Sequence, residues 1–154
     1  MSTTKTWKKK IEKIGKNILD ADERMKGWED NLEINNKNLE LCCVQHASWL
    51  AYYDEIAAEL KYTVDFVEMI ENQVRGELFK YIKDTSQKAY TDSAINMVVD
   101  ANPDFLEVHE LLLMAQEQYM KCVKVVKAFE SRSYMLNNIV KIREKELEHV
   151  VIRT

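Results

Sequence analysis

Between Phe105 and Val150 the chain reads FLEVHELLLMAQEQYMKCVKVVKAFESRSYMLNNIVKIREKELEHV, and one helical line threads it at steps of three or four. Phe105, Val108, Leu112, Ala115, Tyr119, Cys122, Val126, Phe129, Ser133, Leu136, Val140, Arg143, Leu147 and Val150 all fall on that line. No Gly or Pro interrupts it, and only Ser133 and Arg143 break its apolar run. The spacing predicts a single helix ~70 Å long at ~1.5 Å per residue, with an apolar seam that requires a partner. A second seam supplies one: Trp28, Leu32, Asn35, Leu39, Cys42, His46, Trp49, Tyr53, Ile56, Leu60, Thr63, Val67, Ile70 and Val74, then one extra four-residue step to Leu78.

Working outward, three Gly and one Pro leave little material for turns, and no stretch alternates polar with apolar residues as a half-buried strand would. The expected fold is therefore all-α: two long antiparallel coiled-coil-like helices, a short connector helix and a basic N-terminal helix, in an oligomeric assembly. Thr91-Asp92 starts the connector, with Ala94, Ile95, Val98 and Val99 on it. Asn102 caps the last helix and Pro103 opens it. The second seam is read as one helix from about Trp28 to Lys83, with a change of pitch near Gly76 and Leu78. Residues 1–27 form a basic amphipathic segment, in which Trp7, Ile11, Ile14 and Ile18 share a side of a helix from Lys5 to Leu19. Asp20 to Gly27 is expected to be a joint. Residues 28–154 are then expected to form one helical domain.

At 154 residues, 46% apolar and 31% charged, the chain can bury a core of its own. Cys42, Cys43 and Cys122 are odd in number and lack zinc-site spacing, and two of them lie on the seams, so they read as small hydrophobes in a reducing cytosol. The N-terminus is basic without a signal-peptide core, and no apolar run is long enough to span a bilayer, so a cytoplasmic protein is expected. Even so, paired antiparallel helices would leave Leu111, Val125 and Ile139 in water, which predicts self-association into a closed ring.

The net charge of -4 conceals a division along the chain. Residues 1–16 hold six lysines against Glu12, and residues 17–120 hold 21 acidic against eight basic side chains. Residues 121–145 are basic again, with Lys121, Lys124 and Lys127 advancing by three in a slowly rotating stripe. Such a stripe either faces water or tracks phosphates, and repetition in a ring would favour the second. Aromatic residues lie near basic ones: Phe79, Tyr81 and Tyr90 among Arg75, Lys80, Lys83 and Lys88, and Phe129 and Tyr134 around Arg132. Bases of a single strand stack on exposed rings, and Tyr90 in its loop is the best placed; Phe129 and Tyr81 read as seam residues.

Catalytic patterns are missing from the sequence. Gly15, Gly27 and Gly76 are too far apart for a phosphate-cradling loop. Glu146 to His149 is the one Glu-x-x-His pair where a di-iron bundle needs two, and His46, on a seam, reads as a core histidine. A binding protein without cofactor or metal is expected, not an enzyme.

Ala128-Phe129-Glu130-Ser131-Arg132, with Leu136, Ile139, Arg143 and Glu144, resembles the last helix of the UvsY recombination mediators of T-even and related phages. Ser48-Trp49-Leu50 with Ile56 and Glu59 is similar to the start of that family's long helix, and Tyr90-Thr91-Asp92-Ser93-Ala94-Ile95 resembles its connector. The resemblance implies an accessory protein that binds single-stranded DNA and helps a RecA-like recombinase displace the single-strand-binding protein. It also implies a phage-encoded protein working in the host cytoplasm. A homo-oligomeric ring is implied too, heptameric in the best-known member, with the last helix carrying much of the contact: here Phe129, Leu136, Ile139, Val140 and Leu147. Carried over, the DNA contacts fall near Arg75, Lys80 and Lys83, and on Ser131 and Arg132. The chain departs from the family in its lysine-rich N-terminus and in Glu68, Glu71 and Glu77, where the family is often basic. The stripe from Lys121 and the N-terminal lysines would then take over the binding of phosphates. Two other readings compete: a structural coiled-coil scaffold or adaptor that needs no basic stripe, and a membrane-surface role for Lys5 to Leu19.

Overall fold

A computed structural model describes residues 4–34, 39–86 and 90–151, with side chains described for 7–34, 39–86 and 90–146. Among the described residues the chain is all-α: α1 (Thr4–Met25), α2 (Trp28–Leu32), α3 (Leu39–Thr85), α4 (Asp92–Asp100) and α5 (Pro103–Val151). The long helices have 47 and 49 residues, so α3 passes through Gly76 without a break. The capping signals act as read. Thr91 Oγ1 accepts from the Ala94 amide at 3.3 Å, and Asn102 Oδ1 accepts from the Asp104 amide at 2.9 Å, while Pro103, which has no amide hydrogen to satisfy, takes the first helical position.

Two expectations are corrected. The joint at Asp20 to Gly27 is not one, because α1 runs on to Met25 and turns only at Gly27, whose φ of 75° is left-handed backbone that glycine adopts without strain. The helix expected from Trp28 to Lys83 is broken as well. α2 ends at Leu32, Glu33 is extended, and α3 begins at Leu39.

The chain folds as two compact units, each holding a segment of α3 and a segment of α5. The first comprises Met1–Arg24 and Ala58–Met120. In it Trp7, Ile11, Ile14 and Ile18 of α1 pack with Val64, Val67, Ile70 and Val74 of α3 and with Val108, Leu111, Leu112 and Ala115 of α5. Each such burial contributes about 1.5–3 kcal/mol for the larger side chains. The apolar face of α1 is thus core, with Ile18 only 1% exposed, and is not available to enter a membrane surface. At the end of this unit Ile95 and Val99 of α4 close on Phe105, with Leu78, Phe79 and Ile82 packed against them. Here α3 and α5 run antiparallel: Arg75 lies over Phe105, and Glu71 meets His109 further on.

The second unit comprises Met25–Ala57 and Lys121–Thr154. Tyr53 stacks on Phe129 with ring centroids 5.0 Å apart, the Tyr53 hydroxyl accepts from Asn31 at 3.0 Å, and Leu39 and Cys42 pack on Leu136. Cys42 and Cys122 are buried and Cys43 is exposed; none is in a disulfide.

The residues expected to be left in water are largely covered within one chain. Leu111 and Val125 are buried within the single chain, and Ile139 is partly covered by the Leu39, Cys42 and Leu136 cluster. Of the residues expected to hold a ring together, Phe129 and Leu136 are interior to the protomer and Val140 is exposed. The side chain of Leu147 lies outside the described residues.

Candidate nucleic-acid interface

Arg132 is the one buried charge among the described residues of the second unit, 4% exposed. Its Nε donates to the Leu32 carbonyl at 3.1 Å and its Nη2 to the Glu33 carbonyl at 3.4 Å. Nη1 reaches the Cys42 carbonyl at 3.4 Å and His46 Nδ1 at 3.2 Å. The first two carbonyls belong to the end of α2, where helix geometry leaves carbonyls without partners. A guanidinium presents several donors in a fixed fork, so one side chain on α5 serves both α2 and the first turn of α3. Arg132 is therefore withdrawn from the expected DNA contacts. It holds the α2–α3 break, and the sequence offered only indirect signs of it: an arginine beside the Ser133 defect in one seam, and the polar run Asn35-Asn36-Lys37-Asn38 in the other.

His46 is half-buried in this network and stacks on Phe129 with ring centroids 6.4 Å apart. Burial, and then the Arg132 charge, hold its pKa below the ordinary 6.5. Accepting at Nδ1 assigns the proton to Nε2, which is buried and has no hydrogen-bond partner among the described residues.

The expected contacts of the first unit are largely engaged with acids. Arg75 pairs with Asp100 at 2.9 Å and Lys83 with Asp92 at 3.4 Å, while Lys83 also lies over the Phe79 ring. Lys80 and Tyr81 line an open groove of about 520 Å³ in which Glu77, Asp84 and Asp104 supply three carboxylates. A phosphate drawn to Lys80 would meet those charges. Tyr81 is exposed rather than part of a seam, and Tyr90 is exposed as expected of a loop residue. Lys88 lies outside the described residues. On α1, Lys8 pairs with Asp104 at 2.9 Å, a hydrogen bond that raises its pKa, and Lys16 pairs with Glu12 at 3.4 Å.

The stripe on α5 is different. Lys121, Lys124 and Lys127 are all exposed, and Lys124 and Lys127 make no ion pair with any described residue. They are displayed outward because Cys122, Val125 and Phe129 turn the opposite side of the same helix into the core of the second unit. Among the described residues no group of three or more His, Cys, Asp or Glu is placed to hold a metal, and no helix is long and apolar enough to cross a membrane.

No family model matches the chain, and no curated protein and no solved structure shows significant similarity to it.

Proposed function

We propose that the protein is a non-enzymatic binder of single-stranded DNA, of the recombination-mediator kind, that uses the exposed lysines of α5 in its second unit and assists a RecA-like recombinase in replacing the single-strand-binding protein. The observation that carries this reading is the outward stripe of Lys121, Lys124 and Lys127 on a rigid helix, with Lys124 and Lys127 unpaired among the described residues. The likeness to the UvsY mediators supplies the biological role. Lysines that neutralise phosphates release counterions, so affinity falls with salt by a logarithmic slope of about 0.7 per contact on a single strand. Ring assembly would repeat the stripe and multiply weak contacts through effective concentration. The test is binding to labelled single-stranded DNA across a salt series, on material whose mass in solution is measured alongside. Replacing Lys124 and Lys127 by Gln is expected to weaken binding and to flatten the slope by about 1.4. Unchanged binding and slope would refute the reading.

A scaffold or adaptor role has its own support in apolar side chains that the described residues leave about half exposed. In the first unit Leu106 and Leu113, 49% and 53% exposed, lie seven residues apart on one side of α5. Under that reading polar substitution of both abolishes partner docking, and Gln at Lys124 and Lys127 changes nothing.

A further inference from the structure

The exposed side of α5 in the second unit continues well beyond Lys127. Lys127, Tyr134 and Lys141 are spaced by seven, as are Lys124, Ser131, Asn138 and Lys145, and all seven residues are exposed. Seven residues make two turns, so each series stays on one side of the helix, and the offset of three makes the two series neighbours. Lys124 to Lys145 covers about 30 Å of helix. Within it the only acids are Glu130 and Glu144, exposed three residues on from Lys127 and Lys141, so the four lysines of the two series outnumber the acids beside them by two to one. Near the middle is Tyr134, 73% exposed, a large ring left in water and stacked on no other described aromatic residue. Tyr62 and Tyr81 are nearly as exposed as Tyr134, but Tyr134 alone of the three lies between lysines of one series, and the base of an unpaired nucleotide stacks readily on such a ring.

We propose that Tyr134 is a base-stacking platform and that Lys141 and Lys145 extend the phosphate track of Lys124 and Lys127, making one face of α5 selective for single strands over duplex. The proposal rests on the single-strand reading above. Its geometry divides the work: lysines on both sides of the ring hold the backbone by charge, which duplex and single strand share. The tyrosine is met only by a base that is free to leave the stack. It therefore favours single strands of any sequence, since every base has a π-face.

The experiment titrates the full chain with a labelled oligothymidylate of about 15 nucleotides, within the usual range of single-strand sites, and with a duplex of the same length. The variants are Tyr134→Ala, Tyr134→Phe and Lys141→Gln with Lys145→Gln. All are at exposed positions, and unchanged helical circular dichroism confirms that each folds. Tyr134→Ala is expected to weaken single-strand binding by about tenfold while leaving duplex binding unchanged, and Tyr134→Phe to restore it. The double lysine variant is expected to flatten the single-strand salt slope by about 1.4. If wild type binds but Tyr134→Ala binds equally well, or loses both DNAs in proportion, the stacking platform is refuted. A double lysine variant with the wild-type slope refutes the extension of the track. If wild type binds neither DNA, the function proposed above falls, and this inference with it.

Discussion

Replacing Arg132 by Met keeps an unbranched side chain of moderate length but removes every donor that the guanidinium supplies to the second unit. Leu32, Glu33 and Cys42 carbonyls and His46 Nδ1 then lose their partner at a site where the arginine is 4% exposed. Hydrogen bonds to a charged group contribute about 1.5–3 kcal/mol each when well formed. Those to Leu32 at 3.1 Å and His46 at 3.2 Å qualify, while the two at 3.4 Å lie past the usual range of about 2.7–3.2 Å and contribute less. Against their loss stands relief from keeping a guanidinium out of water, which is worth several kcal/mol. The balance is a destabilisation of about 3 kcal/mol, which urea unfolding followed by circular dichroism resolves easily. Arg132→Lys recovers only part, because an ammonium cannot span the fork that joins α2 to α3. Hydrogen exchange in Arg132→Met is expected to rise first over 28–34, where the carbonyls at the end of α2 lose their cap. The salt slope of DNA binding is expected not to move, which separates this structural role from the phosphate contact first expected of the residue. A Met variant within about 0.5 kcal/mol of wild type, or a Lys variant as stable as Arg, would refute the reasoning.

His46 gives stability a pH dependence. Its pKa in the fold is held below the unfolded value of about 6.5 by burial and then by Arg132, so the unfolded chain takes up a proton first as pH falls. Its contribution is complete above pH ~6.5 and is lost on acidification towards the folded pKa; His46→Gln is expected to flatten that part of a urea-midpoint profile. In the first unit, Ile18→Ala is expected to cost about 2–5 kcal/mol, because Ile18 of α1 is 1% exposed in the shared core. A loss below about 0.5 kcal/mol in unfolding experiments would mean that α1 is not part of the cooperative unit.

Local chemistry was legible in the sequence wherever it acts over a few residues. Thr91 and Asn102 bond to amides three and two positions on, and Pro103 has its geometry fixed within the residue, so the starts of α4 and α5 followed from composition alone. The seams were legible for a related reason: a helix repeats every 3.6 residues, and the line from Phe105 to Leu136 marks the side that is buried or half-buried. The outward lysines of α5 followed from the same periodicity.

Tertiary structure alone decided which apolar surface each seam would meet. Leu111 looked stranded on the flank of a two-helix pair, yet Trp7, Ile11, Ile14 and Ile18 belong to the same core, and nothing in either stretch names the other. The break between α2 and α3 depends on Arg132, whose bond to the Leu32 carbonyl joins residues 100 positions apart. Periodicity shows that a helix has an inner side; it carries no information about what the fold brings there. An arginine beside a seam therefore reads as a surface charge until the chain has closed around it, because its burial is set by acceptors from distant segments and not by its neighbours along α5.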